Sequence, residues 1–176
     1  YTAVVIDKQT QLQKAKKSAD IVIAASKDDA FDRNLLERGK IDLIFNLENS
    51  VRSDFIHQRN SGLNHIFCRL ATKKDVFIGA SLSNILNKLP FERAQAMGRI
   101  KQNLRLCGKY NTKTIFASFA KKLTELRAPQ DMRSLLISLG VDNSIAKESL
   151  LNLYHLLQEK TTQKDKDYIS KEVKIE

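Results

Sequence analysis

The residues best suited to chemistry in this sequence are cationic. Arg52, His57 and Arg59 lie between residues 47 and 60, and His65, Arg69 and Lys73 follow on the next helical segment. Lys121, Lys122 and Arg127 lie between residues 119 and 130. Lys and Arg supply the charge that phosphate contacts need, and Arg can grip a phosphate with two parallel hydrogen bonds. The chemistry these groups offer is polyanion binding, with a solvated charged rim as the alternative.

Hydrolysis finds less support. A metal centre needs clustered His, Asp and Glu. The histidines are His57, His65 and His155, with no HxH pair and no two within one helical turn, and Asp42, Glu48 and Asp54 are scattered. No nucleophile-elbow pattern is present. His155 falls mid-helix, where it reads as partly buried. His65 follows Asn64 near a helix start, where a hydrogen bond to the preceding loop competes with a phosphate contact. No catalytic residue and no metal ligand is assigned.

The charge balance agrees with an anionic partner. Lys plus Arg number 30 against 20 Asp plus Glu, a net charge of +10, and the pI is near 9.6. Such an excess fits nucleic acid or an anionic membrane. No apolar run approaches a membrane span, and no signal or transit peptide is visible, so a cytoplasmic protein with no membrane partner is expected. Cys68 and Cys107 match no CxxC pattern and fall on apolar helix faces, as buried free thiols do. Aromatic content is 7% with no Trp. That is poor material for a stacking sheet of the RRM type. The chain begins at Tyr1 and not at Met, which implies that something upstream is missing.

The elements that must position these groups alternate. Strands are predicted at residues 2–7, 20–25, 41–46, 76–80 and 114–118, with a last one at 172–175. Helices are predicted at 9–18 and from Phe31 to Arg38, stopped by Gly39. Leu63, Ile66, Phe67, Leu70 and Ala71 follow the spacing of an amphipathic helix. Pro90 opens a long helix to about Lys109, with Met97, Ile100, Leu104 and Cys107 inside and Lys101, Arg105 and Lys109 outside. Asp131 to Leu139 is helical, and Ser144 is the expected cap of a helix reaching about Gln158.

This alternation of buried, β-branched strands with helices means α/β with a parallel sheet. No GxGxxG and no P-loop is present, which lowers dinucleotide and NTPase readings. The expected fold is a (β/α) barrel of TIM/PHP-like type. Complete barrels usually need at least ~200 residues, so six strands leave this one a βα unit or two short. We expect a single barrel-like domain over 1–176, with a mobile basic stretch near 160–170.

Residues 61–71, Ser-Gly-Leu-Asn-His-Ile-Phe-Cys-Arg-Leu-Ala, resemble the signature of archaeal ribonuclease P protein component 3, the family of the eukaryotic nuclear subunit of the same enzyme. The resemblance continues in register through Asp75 to Ile85, Glu92-Arg93-Ala94 and the helix to Tyr110. Glu125 to Asp131 is similar to the family's Arg-x-Pro-x-Asp turn, and Leu139-Gly140, Ala146-Lys147 and Val173-Lys174-Ile175 follow.

The resemblance implies a non-catalytic subunit on a barrel related to PHP metallohydrolases. It implies ribonuclease P RNA as partner, with precursor tRNA met through the holoenzyme, and ribonuclease P protein component 2 and other subunits beside it. The RNA, using Mg²⁺, removes the 5′ leader, and no cofactor is expected on the chain. Arg59, His65 and Arg127 are the RNA-facing positions carried over by motif. A metal-dependent phosphoesterase of the related barrel family is the alternative. Two departures stand out. The family begins with two further βα units, which do not precede Tyr1, so a barrel incomplete at its N-terminal side is expected. Phe119 stands where the family tends to have a small residue.

Overall fold

The computed structural model describes residues 1–38, 41–49 and 53–163. Five strands, β1 (Ala3–Ile6), β2 (Ile21–Ala25), β3 (Leu43–Phe45), β4 (Phe77–Ser81) and β5 (Thr114–Ala117), form one sheet. Every neighbouring pair is parallel and the spatial order is the sequence order. That is the winding of a (β/α) barrel wall; a doubly wound sheet would reverse order at a switch point. The helices are α1 (Leu12–Ser18), α2 (Asp29–Arg38), α3 (His65–Lys74), α4 (Ser83–Leu86), α5 (Pro90–Lys109), α6 (Pro129–Ser138) and α7 (Asn143–Gln163). Among the described residues no helix is long and apolar enough to cross a membrane.

The strand period of two separates two faces. Val22, Ala24, Ile44 and Ile78 point outward and pack with Leu35 and Leu36 of α2 and Phe67 and Ala71 of α3. Cys68 and Cys107 are buried in the same cluster as free thiols, as the sequence predicts. Ala80 and Phe116 continue that face against Ile100 and Leu104 of α5 and Met132 and Leu136 of α6. Ile21, Ile23, Leu43, Phe77 and Ile115 point inward, where Leu156 of α7 meets them.

Helix α7 crosses the inner face at the strands' starting ends. Asn152 Nδ2 donates to the carbonyl of Thr114 at 2.8 Å, Lys160 pairs with Asp42 at 2.5 Å, and the Thr161 hydroxyl meets that of Tyr1 at 2.5 Å. These contacts fall at the beginnings of β5, β3 and β1 in turn. They also carry the helix past the expected Gln158 to Gln163, so residues 160–163 of the predicted mobile stretch are helical. The rest of that stretch, Gly39 and the predicted strand at 172–175 lie outside the described residues.

Two smaller expectations are corrected. The cap of α7 is Asp142 and not Ser144: Asp142 Oδ1 accepts from the Ser144 amide at 2.8 Å and the Ser144 hydroxyl at 2.5 Å. These bonds hold the Asp142 carboxyl below its usual range. His155 is exposed and not partly buried, because its helical position faces away from the Leu156 side, and it meets Tyr154 edge-on.

Candidate nucleic-acid interface

The segment between β3 and α3 is held by a polar clamp. Asp54 is its centre. Oδ1 accepts from Arg99 Nε at 2.9 Å and the Asn60 amide at 2.9 Å, and Oδ2 accepts from Arg59 Nη1 at 2.9 Å and Gln95 Nε2 at 3.2 Å. Burial raises the Asp54 pKa, but the bonds from Arg59, Asn60, Arg99 and Gln95 together outweigh it and bring it down to about 2. Gln102 closes the other side: its Oε1 accepts the Arg59 amide at 3.0 Å, and its Nε2 donates to the Arg59 carbonyl at 2.8 Å and the Ser61 hydroxyl at 3.0 Å. Asn103 Nδ2 donates to the Ser61 carbonyl at 3.1 Å. Helix α5 thus presents Gln95, Arg99, Gln102 and Asn103 on one side, which fixes a stretch with little structure of its own.

The depressed Asp54 pKa has a pH consequence. A carboxylate lowered by its folded partners contributes stability above its unfolded pKa near 3.8, and that contribution is lost as pH falls toward 2. The shift corresponds to about 2 kcal/mol. Asp54→Asn should be less stable than wild type at neutral pH and should lack this acid-limb loss. Urea midpoints collected from pH 5 downward check it; parallel pH curves for the two proteins would contradict it.

Against this clamp lies a groove of about 510 Å³ between α3 and the second half of α5. Asn60, Gly62, Asn64, His65, Gln102 and Tyr110 are among its lining residues. Asn64 caps α3 by accepting the Phe67 amide at 2.9 Å. The Tyr110 ring stands among cations: Arg69 Cζ lies 5.6 Å and Lys109 Nζ 5.9 Å from its centroid, and the His65 ring is 6.4 Å away. A neighbouring depression on α5 is lined by Lys101, Arg105 and Lys109. The outward basic stripe of α5 therefore borders the groove, through the shared residues Gln102 and Leu106.

Of the sequence-predicted residues, Arg59 and His65 line this groove and Arg69 stands beside it. Lys73 is in the last turn of α3, at the end away from His65. His57 is exposed on the intervening loop. Lys121, Lys122 and Arg127 belong to a separate structure built on α4. There Glu125 accepts from the Ser83 hydroxyl at 3.0 Å, Asn87 Nδ2 at 3.0 Å and the Lys121 amide at 2.8 Å. Arg127 Nη1 donates to the Thr124 and Leu126 carbonyls, each at 2.7 Å. Arg52 lies outside the described residues. Sequence reading places Lys109 on the outer basic face of α5 without naming it as a contact, and leaves out Tyr110, which follows the helix end and carries no motif.

Phe119 explains its own departure from a small residue. It adopts φ +43, a region that penalises side chains, and stacks on Phe45 with centroids 4.3 Å apart. A small residue relieves the backbone; the stack compensates for it here.

At the mouth of the sheet sits a buried acid, Glu48. Oε1 accepts from the Ser81 amide at 3.1 Å and Asn84 Nδ2 at 2.8 Å, while Oε2 is buried with no partner. Burial pushes its pKa up against those two bonds. A raised carboxyl pKa gives stability that is present below the unfolded value and is lost as pH rises through the folded one. Glu48→Gln should abolish that loss and be more stable than wild type at pH 8, by roughly 1–3 kcal/mol. Thermal melts of both proteins across pH 5–8 test this, and a variant less stable at every pH would refute it. No group of three or more His, Cys, Asp or Glu is placed to hold a metal among the described residues.

A sequentially wound parallel α/β wall, with a cationic groove on its outer flank, defines a barrel-type protein. The chain belongs to the family described as RNase P subunit p30, whose model matches residues 3–165. Ribonuclease P protein component 3 of Methanococcus vannielii is 28% identical over 137 residues, covering 78% of this chain and 56% of that protein. The chain spans about half the length of the curated relatives it matches. It superimposes with TM-score 0.82 and 22% identity on a chain of a cryo-EM structure of archaeal ribonuclease P with mature tRNA, over 98% of this chain and 73% of that one. A prolidase complexed with N-methylphosphonate-L-proline shares the fold more distantly, with TM-score 0.51 and 12% identity over 77% of this chain and 33% of that one. The barrel-type fold expected from sequence is thereby established.

Proposed function

We propose that this chain is part of a non-catalytic ribonuclease P protein subunit that binds the enzyme's RNA and supports removal of the 5′ leader from precursor tRNA. The observation that carries the reading is the groove lined by Arg59, in which His65, Arg69 and Lys109 gather around Tyr110, in a chain of the RNase P subunit p30 family. Phosphate contacts need cations held at fixed positions. Arg59 is held by Asp54 and Gln102, so it meets RNA without further ordering. In this reading the RNA uses Mg²⁺ for cleavage and the chain binds no cofactor of its own. Ribonuclease P protein component 2 and other subunits are its protein partners, in the cytoplasm. Arg127, Lys121 and Lys122 form a second contact region, with Lys73 and Arg52 as further contacts.

The test is affinity for ribonuclease P RNA as a function of salt. Arg69→Ala and Lys109→Ala should each weaken binding and each reduce the log–log salt slope by about 1. Wild-type slopes in both variants would remove the groove from the interface. Turnover of a phosphoester by the purified protein, with stoichiometric metal by elemental analysis, would overturn the non-catalytic reading.

A further inference from the structure

We propose that Tyr110 is the seat for one unpaired nucleobase of RNA, with Arg69 and Lys109 taking the phosphates on either side of it. This rests on the RNA-binding reading and names what the groove recognises.

The Tyr110 ring is half-buried at the groove wall, anchored by its backbone: the Tyr110 amide donates to the carbonyls of Leu106 and Cys107, and its carbonyl accepts from the Thr72 hydroxyl. The side chain packs against the core cluster beneath α3, and the groove beside it holds about 510 Å³, ample room for a single base. A duplex offers no exposed base face, so an aromatic ring in a groove selects nucleotides that have left the stack. Both cations lie within 6 Å of the ring centroid, in cation–π range. Each is on a surface position, Arg69 on α3 and Lys109 at the end of α5, so a base stacking on the ring leaves them free to swing to the backbone phosphates.

Polar edges are also at hand. Asn64 lines the groove and its Oδ1 accepts the Phe67 amide, which leaves the NH₂ group as its donor. Gln58 lines the same space on the loop side. The floor at Gly62 has no side chain, because a Cβ there would stand 2.5 Å from the Leu47 carbonyl oxygen.

The experiment compares two RNA hairpins identical except for one bulged 2-aminopurine, with the whole chain as wild type, Tyr110→Phe and Tyr110→Leu. Wild type and Tyr110→Phe should prefer the bulged hairpin by roughly 5- to 150-fold and quench its fluorescence, since base–aromatic stacking contributes about 1–3 kcal/mol. Tyr110→Leu should lose both effects and bind the two hairpins with equal affinity. Should Tyr110→Leu fail to fold, the wild-type quenching and its retention in Tyr110→Phe decide the matter. Equal binding of both hairpins by wild type, with a normal salt slope, overturns the base seat and leaves RNA binding intact. No salt-dependent binding of either hairpin overturns the RNA-binding reading as well.

Discussion

Replacing Arg99 with methionine is expected to cost about 3–5 kcal/mol of stability, the range for removing one partner of a buried ion pair. Arg99 is only 2% exposed. Its Nε holds Asp54 Oδ1 at 2.9 Å and its Nη1 donates to the Glu48 carbonyl at 3.2 Å. Methionine fills much of the same volume, so the loss measures charge and hydrogen bonding and not a cavity. Urea denaturation supplies the number, and a cost below about 1 kcal/mol would place Arg99 among ordinary exposed pairs. A second readout follows from the clamp. Asp54 also positions Arg59, so RNA affinity should fall with stability even at temperatures where the variant remains folded.

Gly62→Ala is the second large effect, at about 2–4 kcal/mol. Gly62 sits at φ +74, and an added Cβ would come within 2.5 Å of the Leu47 carbonyl oxygen, a backbone atom that cannot step aside. Gly140 is the natural control. It has φ +77, but its added Cβ would meet Lys101 Nζ at 3.0 Å, the far end of a flexible side chain. Gly140→Ala should therefore cost only the left-handed strain of about 1–2 kcal/mol. Paired urea melts decide, and equal costs at the two glycines would refute the clash at Gly62. Because Gly62 floors the groove, its alanine variant should also bind RNA more weakly, whereas Gly140→Ala should not.

Much of this frame was legible in the sequence because it depends on local patterns. The strands at 20–25 and 114–118 are short β-branched or apolar runs, and Pro90 marks the first turn of α5. Ile100, Leu104 and Cys107 are buried where their spacing puts them. The clamp was not legible. Arg99 and Asn103 lie beside that apolar row, and their polar type reads as solvent-facing. Their burial depends on Asp54 and Ser61, which are more than 40 positions away in sequence. Tyr110 was invisible for the same reason: a single tyrosine at a helix end carries no pattern until α3 is packed beside it. The path of α7 across the strand starts depends on Asp42 and Tyr1 in the same way, and so could not be read from its own residues.

Arg59 and His65 were found through a motif, and the fold brings them to one groove. Arg127 was found by the same route but sits on a different platform, tied to the carbonyls of its own turn. The two sets of cations are thus separable by mutation. Arg69→Ala and Arg127→Ala should combine additively in binding free energy if each meets its own stretch of RNA.

In the function proposed above, this chain serves ribonuclease P without performing the cleavage. The most direct measurement is cleavage of precursor tRNA by the cognate ribonuclease P RNA with its partner proteins at moderate Mg²⁺, with this chain added or left out. Cleavage should rise when the chain is present, the chain alone should cleave nothing, and Arg59→Ala should lower the gain. Cleavage unchanged by the chain, or cleavage by the chain without RNA, would contradict it.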